Sequence, residues 1–118
     1  MKPFEVVEAE SAGNKNCVAL ALRGYLDAHT VNEFETFMDR SIEKGGLRYV
    51  MDIRDLNYIS SAGIGAIMGL TQRLRRADGE VVLLCPSDKV FKVLDKLGFT
   101  KIFRVAYSRE EAERLLAQ

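Results

Sequence analysis

Hydrophobic residues recur along this chain at two spacings, and the spacings alternate. "FEVVEA" at residues 4–9 loosely alternates apolar with polar positions and predicts a first strand. After the turn-forming "SAGNKN", the run "CVALALRG" puts Val18, Leu20 and Leu22 on one face and predicts a second strand, hairpin-paired with the first. Helical spacing then takes over in "DAHTVNEFETFMDRSIEKGG", where Val31, Phe34, Met38 and Ile42 share one face. Thr30 with Glu33 makes a T-x-x-E capping box for this helix, and Gly45 with Gly46 ends it. "LRYVMDI" is mostly apolar, as befits a central strand covered on both faces. From about Ala62 to Ala77, Ile64, Ile67, Thr71 and Leu74 return at helical spacing, and "DGE" closes that segment. "VVLLC" predicts a fourth strand. Ser87, after Pro86, caps a helix carrying Val90, Val93, Leu94 and Leu97 that ends at Gly98. "KIFRV" predicts a short edge strand, and Ser108 with Glu111 opens a terminal helix through a second capping box.

The order β-β-α-β-α-β-α-β-α predicts an α/β fold: a mixed sheet of about five strands, parallel in its later strands, packed against about four helices. The loops beyond the carboxyl ends of such strands are the usual functional edge. "LNYISSA" follows the third strand there, "CPSD" follows the fourth, and "GYLDAHT" leaves the second nearby.

The 118 residues are the length of one domain, expected to span 1–118, with a single core. Lysine plus arginine and aspartate plus glutamate each number 17, so the formal charge is zero. That balance argues against direct nucleic-acid binding, which draws its affinity from neutralising phosphates. Arg73, Arg75 and Arg76 read as a solvated face near a helix C-terminus. Apolar runs such as "VALAL" are strand-sized, far short of a membrane span, and "MKPFEVVEAE" lacks the apolar segment of a secretory signal. Cys17 and Cys85 could pair in a disulfide, but read better as buried small hydrophobes in a reducing, cytoplasmic setting. With His29 the sole histidine, no histidine-rich metal site is expected, and no cofactor.

The stretch "NYISSAGIGAIMGL", residues 57–70, carries the candidate chemistry. Gly63, Gly65 and Gly69 nearly match a dinucleotide fingerprint, but "RDLNYIS" separates them from the preceding strand, and no G-K-[ST] is present. The glycines are expected to allow close packing of helix on sheet. A nucleophile elbow would need glycine where Ile59 stands, and His29 follows a different strand. Ser60 or Ser61 can cap the helix, a contact worth about 1 kcal/mol. Either hydroxyl can also accept a phosphate.

"GYLDAHT" opening a helix, followed by "VMDIRDLNYISSAGIGAIMGL", resembles the STAS domain, and within it the bacterial anti-sigma factor antagonists, over nearly the whole chain. The family's phosphoacceptor aligns with Ser61 (second choice Ser60), its helix-opening glycine with Gly63, and its partner-contacting aspartate with Asp27, a residue that by itself reads equally as a turn former or supplementary cap before the helix. Many phosphorylated members have aspartate where Ser60 stands. The resemblance implies a partner-switching protein that is not itself an enzyme. Unmodified, it would bind an anti-sigma factor that is also a GHKL-type serine kinase, with ATP held by that partner; phosphorylation would release it, and a serine phosphatase would reset it. Tyr25, Asp27, Thr30, Tyr58, Ser60, Ala62 and Gly63 would form the docking face. The alternatives are a STAS docking or ligand-binding subunit that is never phosphorylated and, more distantly, a small nucleotide-dependent enzyme.

Overall fold

The computed structural model describes residues 2–9 and 17–117, so the expected "SAGNKN" turn lies outside the described residues. Strand β1 (Phe4–Ala9) pairs antiparallel with β2 (Cys17–Leu26). Helix α1 (Val31–Glu43) leads to β3 (Arg48–Asp52), and β4 (Leu56–Ile59) leads directly to α2 (Ser61–Arg76). Then follow β5 (Glu80–Leu84), α3 (Asp88–Lys96), a 3₁₀ turn (Phe99–Lys101), β6 (Arg104–Ala106) and α4 (Arg109–Leu116). The sheet order is β1-β2-β3-β5-β6, with every pair after the first hairpin parallel.

Strand β4 is the element the hydrophobic pattern missed. "LNYI" was expected to be loop, yet it runs parallel to the end of β2. Strand β2 is ten residues long. Its first half pairs with β3, from Cys17↔Arg48 to Ala21↔Asp52. Its last residues pair with β4, Tyr25 with Tyr58 and Leu26 with Ile59. The sheet therefore has six strands rather than about five.

The period of two along each strand sorts side chains onto two faces. Leu20, Leu22, Tyr49, Met51, Val81 and Leu83 point into a larger core. Phe34 and Met38 of α1, Ile64, Ile67 and Leu74 of α2, and Val90 and Leu94 of α3 fill it from above. The intervening residues Ala19, Val50, Val82, Leu84 and Ala106 meet only α4, through Ala112 and Leu116. Three helices thus cover one face and a single helix the other.

Inside the larger core, the Tyr49 hydroxyl and the Ser41 hydroxyl form a 2.7 Å hydrogen bond. Tyr49 is fully buried, and burial pushes its phenol above the ordinary value of 10.0, an effect the Ser41 bond partly offsets. Tyr49→Phe should cost about 1–2 kcal/mol in urea unfolding, because Ser41 loses its buried partner. Ser41→Ala combined with Tyr49→Phe should cost less than the two single losses added together. A phenol raised in the folded state keeps its full contribution below pH 10 and loses it as pH climbs toward the folded value. The wild type should therefore lose stability above pH 10 more steeply than Tyr49→Phe does.

Candidate functional site

Two strand ends and one helix start converge at the site. Because β2 and β4 are parallel and Leu26 lies beside Ile59, the loops leaving them emerge side by side. The Ser60 amide donates to the Leu26 carbonyl at 2.9 Å, tying the α2 entry to the end of β2. The register slips between Gly24 and Tyr25, a bulge at the rim of the kind that re-aims side chains. Gly24 adopts φ +92, and a Cβ there would strike the Pro3 carbonyl. Only glycine suits both conditions.

The two adjacent serines divide the work. Ser60 is the N-cap: its backbone is extended and its hydroxyl accepts the Gly63 amide at 3.3 Å. Ser61 is the first residue of α2, and it is exposed. Among the described residues, its hydroxyl has no hydrogen-bond partner. The first turn of α2 holds no acidic residue, so the positive end of the helix dipole is uncompensated there. Arg73, Arg75 and Arg76 sit in the last turn, where cations suit the dipole. Arg73 and Arg75 also pair with Asp39 and Glu80.

The loop after β2 is built by Asp27 and Thr30. Asp27 Oδ1 accepts the amides of His29 at 2.9 Å and Thr30 at 3.2 Å. The T-x-x-E capping box expected at Thr30 does not form, since the Thr30 side chain makes no cap hydrogen bond to α1. Its hydroxyl instead donates to the Tyr25 carbonyl at 2.7 Å and accepts the Asp27 amide at 3.0 Å. Thr30 is buried, so it shapes the loop from beneath. Asp27 is half-buried and carries that turn.

Of the other residues singled out in sequence, Tyr25 and Tyr58 stand side by side across β2 and β4, 48% and 47% exposed. Ala62 is exposed next to Ser61, whereas Gly63 is buried. A Cβ on Gly63 would fall 2.7 Å from the Leu26 carbonyl, so this glycine does allow close packing. Gly65 and Gly69 do not: both are exposed, with nothing within 4 Å of a Cβ. Cys17 and Cys85 are half-buried rather than buried, and no disulfide joins them. Ser61, Ile64, Gly65 and Met68 line a shallow apolar depression of about 170 Å³ with Leu97 and Phe99. Leu97, expected on the buried face of α3, is 57% exposed. No group of three or more His, Cys, Asp or Glu among the described residues could hold a metal ion. No helix among them is long and apolar enough to cross a membrane.

The STAS domain family matches residues 8–112. The candidate anti-sigma factor antagonist BtrV of Bordetella bronchiseptica is 36% identical over 91 residues, covering 77% of this chain and 78% of that protein. The fold is similar to that of the anti-sigma factor antagonist SpoIIAA in its unphosphorylated form, with TM-score 0.76 and 24% identity over 98% of this chain and 97% of that one. It is also similar to the Bacillus cell fate determinant SpoIIAA in its phosphorylated form, with TM-score 0.68 and 23% identity over 95% of this chain and 98% of that one.

The glycines of α2 should separate in mutagenesis. Gly63→Ala should destabilise by roughly 1–3 kcal/mol, because the new methyl meets backbone that cannot yield. Gly65→Ala should stabilise by about 0.5–1 kcal/mol, because a Cβ there meets open space in a helix interior. Urea unfolding of both variants measures the contrast.

Proposed function

The chain belongs to the STAS domain family of anti-sigma factor antagonists, and from that premise we propose that it is a partner-switching protein controlled by one phosphate on Ser61. Unmodified, it binds an anti-sigma factor that is also a GHKL-type serine kinase and holds the ATP. Phosphorylation by that kinase releases it, and a serine phosphatase restores it. The chain is ligand and substrate in this cycle, not catalyst.

The observation that carries the assignment is the division between the two serines. The Ser60 hydroxyl is committed to the helix cap, whereas that of Ser61 is exposed and unbonded among the described residues. A phosphate on Ser61 adds roughly −1.5 to −2 charges at the positive end of α2, a place that favours anions. The folded scaffold therefore accommodates it, and the change is confined to the surface. The docking face we assign around Ser61 takes in the exposed Tyr25, Tyr58 and Ala62 and the half-buried Asp27, with the buried Thr30 shaping the loop after β2 and the buried Gly63 packing the start of α2 on Leu26. A partner closing over this face would have to desolvate the dianion. An unpaired interfacial charge costs about 2–5 kcal/mol, or roughly thirty-fold to a few thousand-fold in affinity.

Incubation with the cognate kinase and ATP should place one phosphate on the protein, and mass spectrometry should locate it on Ser61. Ser61→Ala should accept none. Ser60→Ala should still be phosphorylated although about 1 kcal/mol less stable, having lost only its cap. Phosphate on Ser60 alone would refute the assignment, and equal partner affinity of the modified and unmodified forms would refute the switch. No phosphate with any cognate kinase would instead favour a constitutive docking subunit. Ser61→Asp should weaken binding only partly, since a carboxylate carries less charge and fewer acceptor oxygens.

A further inference from the structure

Charge is distributed unevenly on either side of α2. Helix α1 carries Glu33, Glu35, Asp39 and Glu43 against Arg40 alone. Between Asp88 and Lys101 there are four lysines against two aspartates, in a chain of zero net charge. Lys89, Lys92 and Lys96 recur at i, i+3 and i+7, on the side of α3 opposite the buried Val90 and Leu94. All three are exposed, as is Lys101 just beyond. Every ion pair among the described residues is made by an arginine, so these four lysines have no acidic partner. At the end of the lysine row stands the exposed Leu97, on the rim of the apolar depression it shares with Ser61, Met68 and Phe99.

We propose that the lysine row of α3 and the depression at its end form a second docking surface for the same anti-sigma factor, one that takes an acidic segment bearing an apolar side chain. This rests on the reading that the Ser61 face meets such a partner. Four unpaired cations select carboxylates and speed encounter. The depression selects an apolar anchor, and its lining by Ser61 makes the two surfaces continuous. With Asp39 paired to Arg73, the remaining α1 carboxylates Glu33, Glu35 and Glu43 repel the same acidic segment from the other side of α2, so the charge pattern favours one orientation of the partner.

The test is surface plasmon resonance on the immobilised cognate anti-sigma factor kinase, at low and high salt, with the unphosphorylated protein. The double variant Lys92→Glu, Lys96→Glu should associate about tenfold more slowly at low salt and show a flatter salt dependence. Leu97→Ala should dissociate about tenfold faster with little change in association. Tyr107→Ala, at a 60% exposed side chain beyond the end of β6, should bind as wild type. All these positions are exposed, and unchanged melting temperatures would establish that each variant folds. The proposal is overturned if either the lysine double variant or Leu97→Ala binds as wild type while phosphorylation of Ser61 still releases the partner. It is also overturned if sedimentation shows the protein alone self-associating and the lysine variant abolishing that, which would make a second copy the occupant. If both variants weaken binding while Ser61 phosphate leaves it unchanged, the docking surface stands and the switch falls.

Discussion

The carbonyl of Leu26 holds the two halves of the site together. It accepts the Ser60 amide from one side, and the bare Cα of Gly63 packs near it from the other. Because β2 and β4 are parallel, their chain directions agree, and the loops leaving them have to start side by side. The position of the Ser61 hydroxyl therefore follows from backbone meeting backbone, with no flexible side chain between. A contact of that kind leaves little slack, since neither a carbonyl nor a helix turn can change rotamer to relieve an added methyl. The strand edge, the cap and the first turn of α2 are thereby fixed relative to one another through the backbone.

Much of this was legible in the sequence, and what escaped did so for local physical reasons. Periodicity suffices where one face is buried throughout, as along α2, where Ile64, Ile67, Thr71 and Leu74 are all buried. It failed for β4 because four residues with only the end pair buried give no alternation, and the bulge beside them breaks the register. The T-x-x-E motif around Thr30 is a fair cap signal, but the Tyr25 carbonyl competed for the hydroxyl and won. Asp27 already serves the amides that precede α1. The glycines of α2 could have been separated from sequence. Gly63 lies four residues before Ile67 and so faces the sheet, while Gly65 and Gly69 fall out of phase with the buried positions. The resemblance aligned Ser61 with the family's phosphoacceptor, but the residues alone left the capping serine open. The start of α2 decides it, because one residue of register exchanges the cap for the first helical position.

The scaffold around the site is asymmetric in a way the composition conceals. Equal numbers of acids and bases suggest a surface without preference, yet α1 is acidic, the outer side of α3 is basic, and α2 runs between them with its first turn free of carboxylates. Zero net charge removes any long-range pull toward polyanions without removing local fields within a Debye length, about 8 Å at physiological salt. A partner at contact distance therefore meets a polar pattern, while a distant nucleic acid meets almost none. The two cores keep that pattern in place. Three helices share one continuous cluster on one face of the sheet, so the charges of α1 and α3 are held relative to Ser61 by packing rather than by loops.

The serine at the cap position has a consequence of its own. Serine and aspartate cap helices about equally well, so which of them stands at position 60 hardly affects stability. It does affect charge. An aspartate there would hold one negative charge against the first turn of α2 in both states of the site, already compensating the dipole. With Ser60 as cap, the first turn carries no side-chain charge until Ser61 is modified. The proposed switch then moves the first turn of α2 from no side-chain charge to a net negative one. On that proposal, a partner surface suited to the uncharged first turn would be mismatched to the modified one, and release would need no rearrangement of the fold.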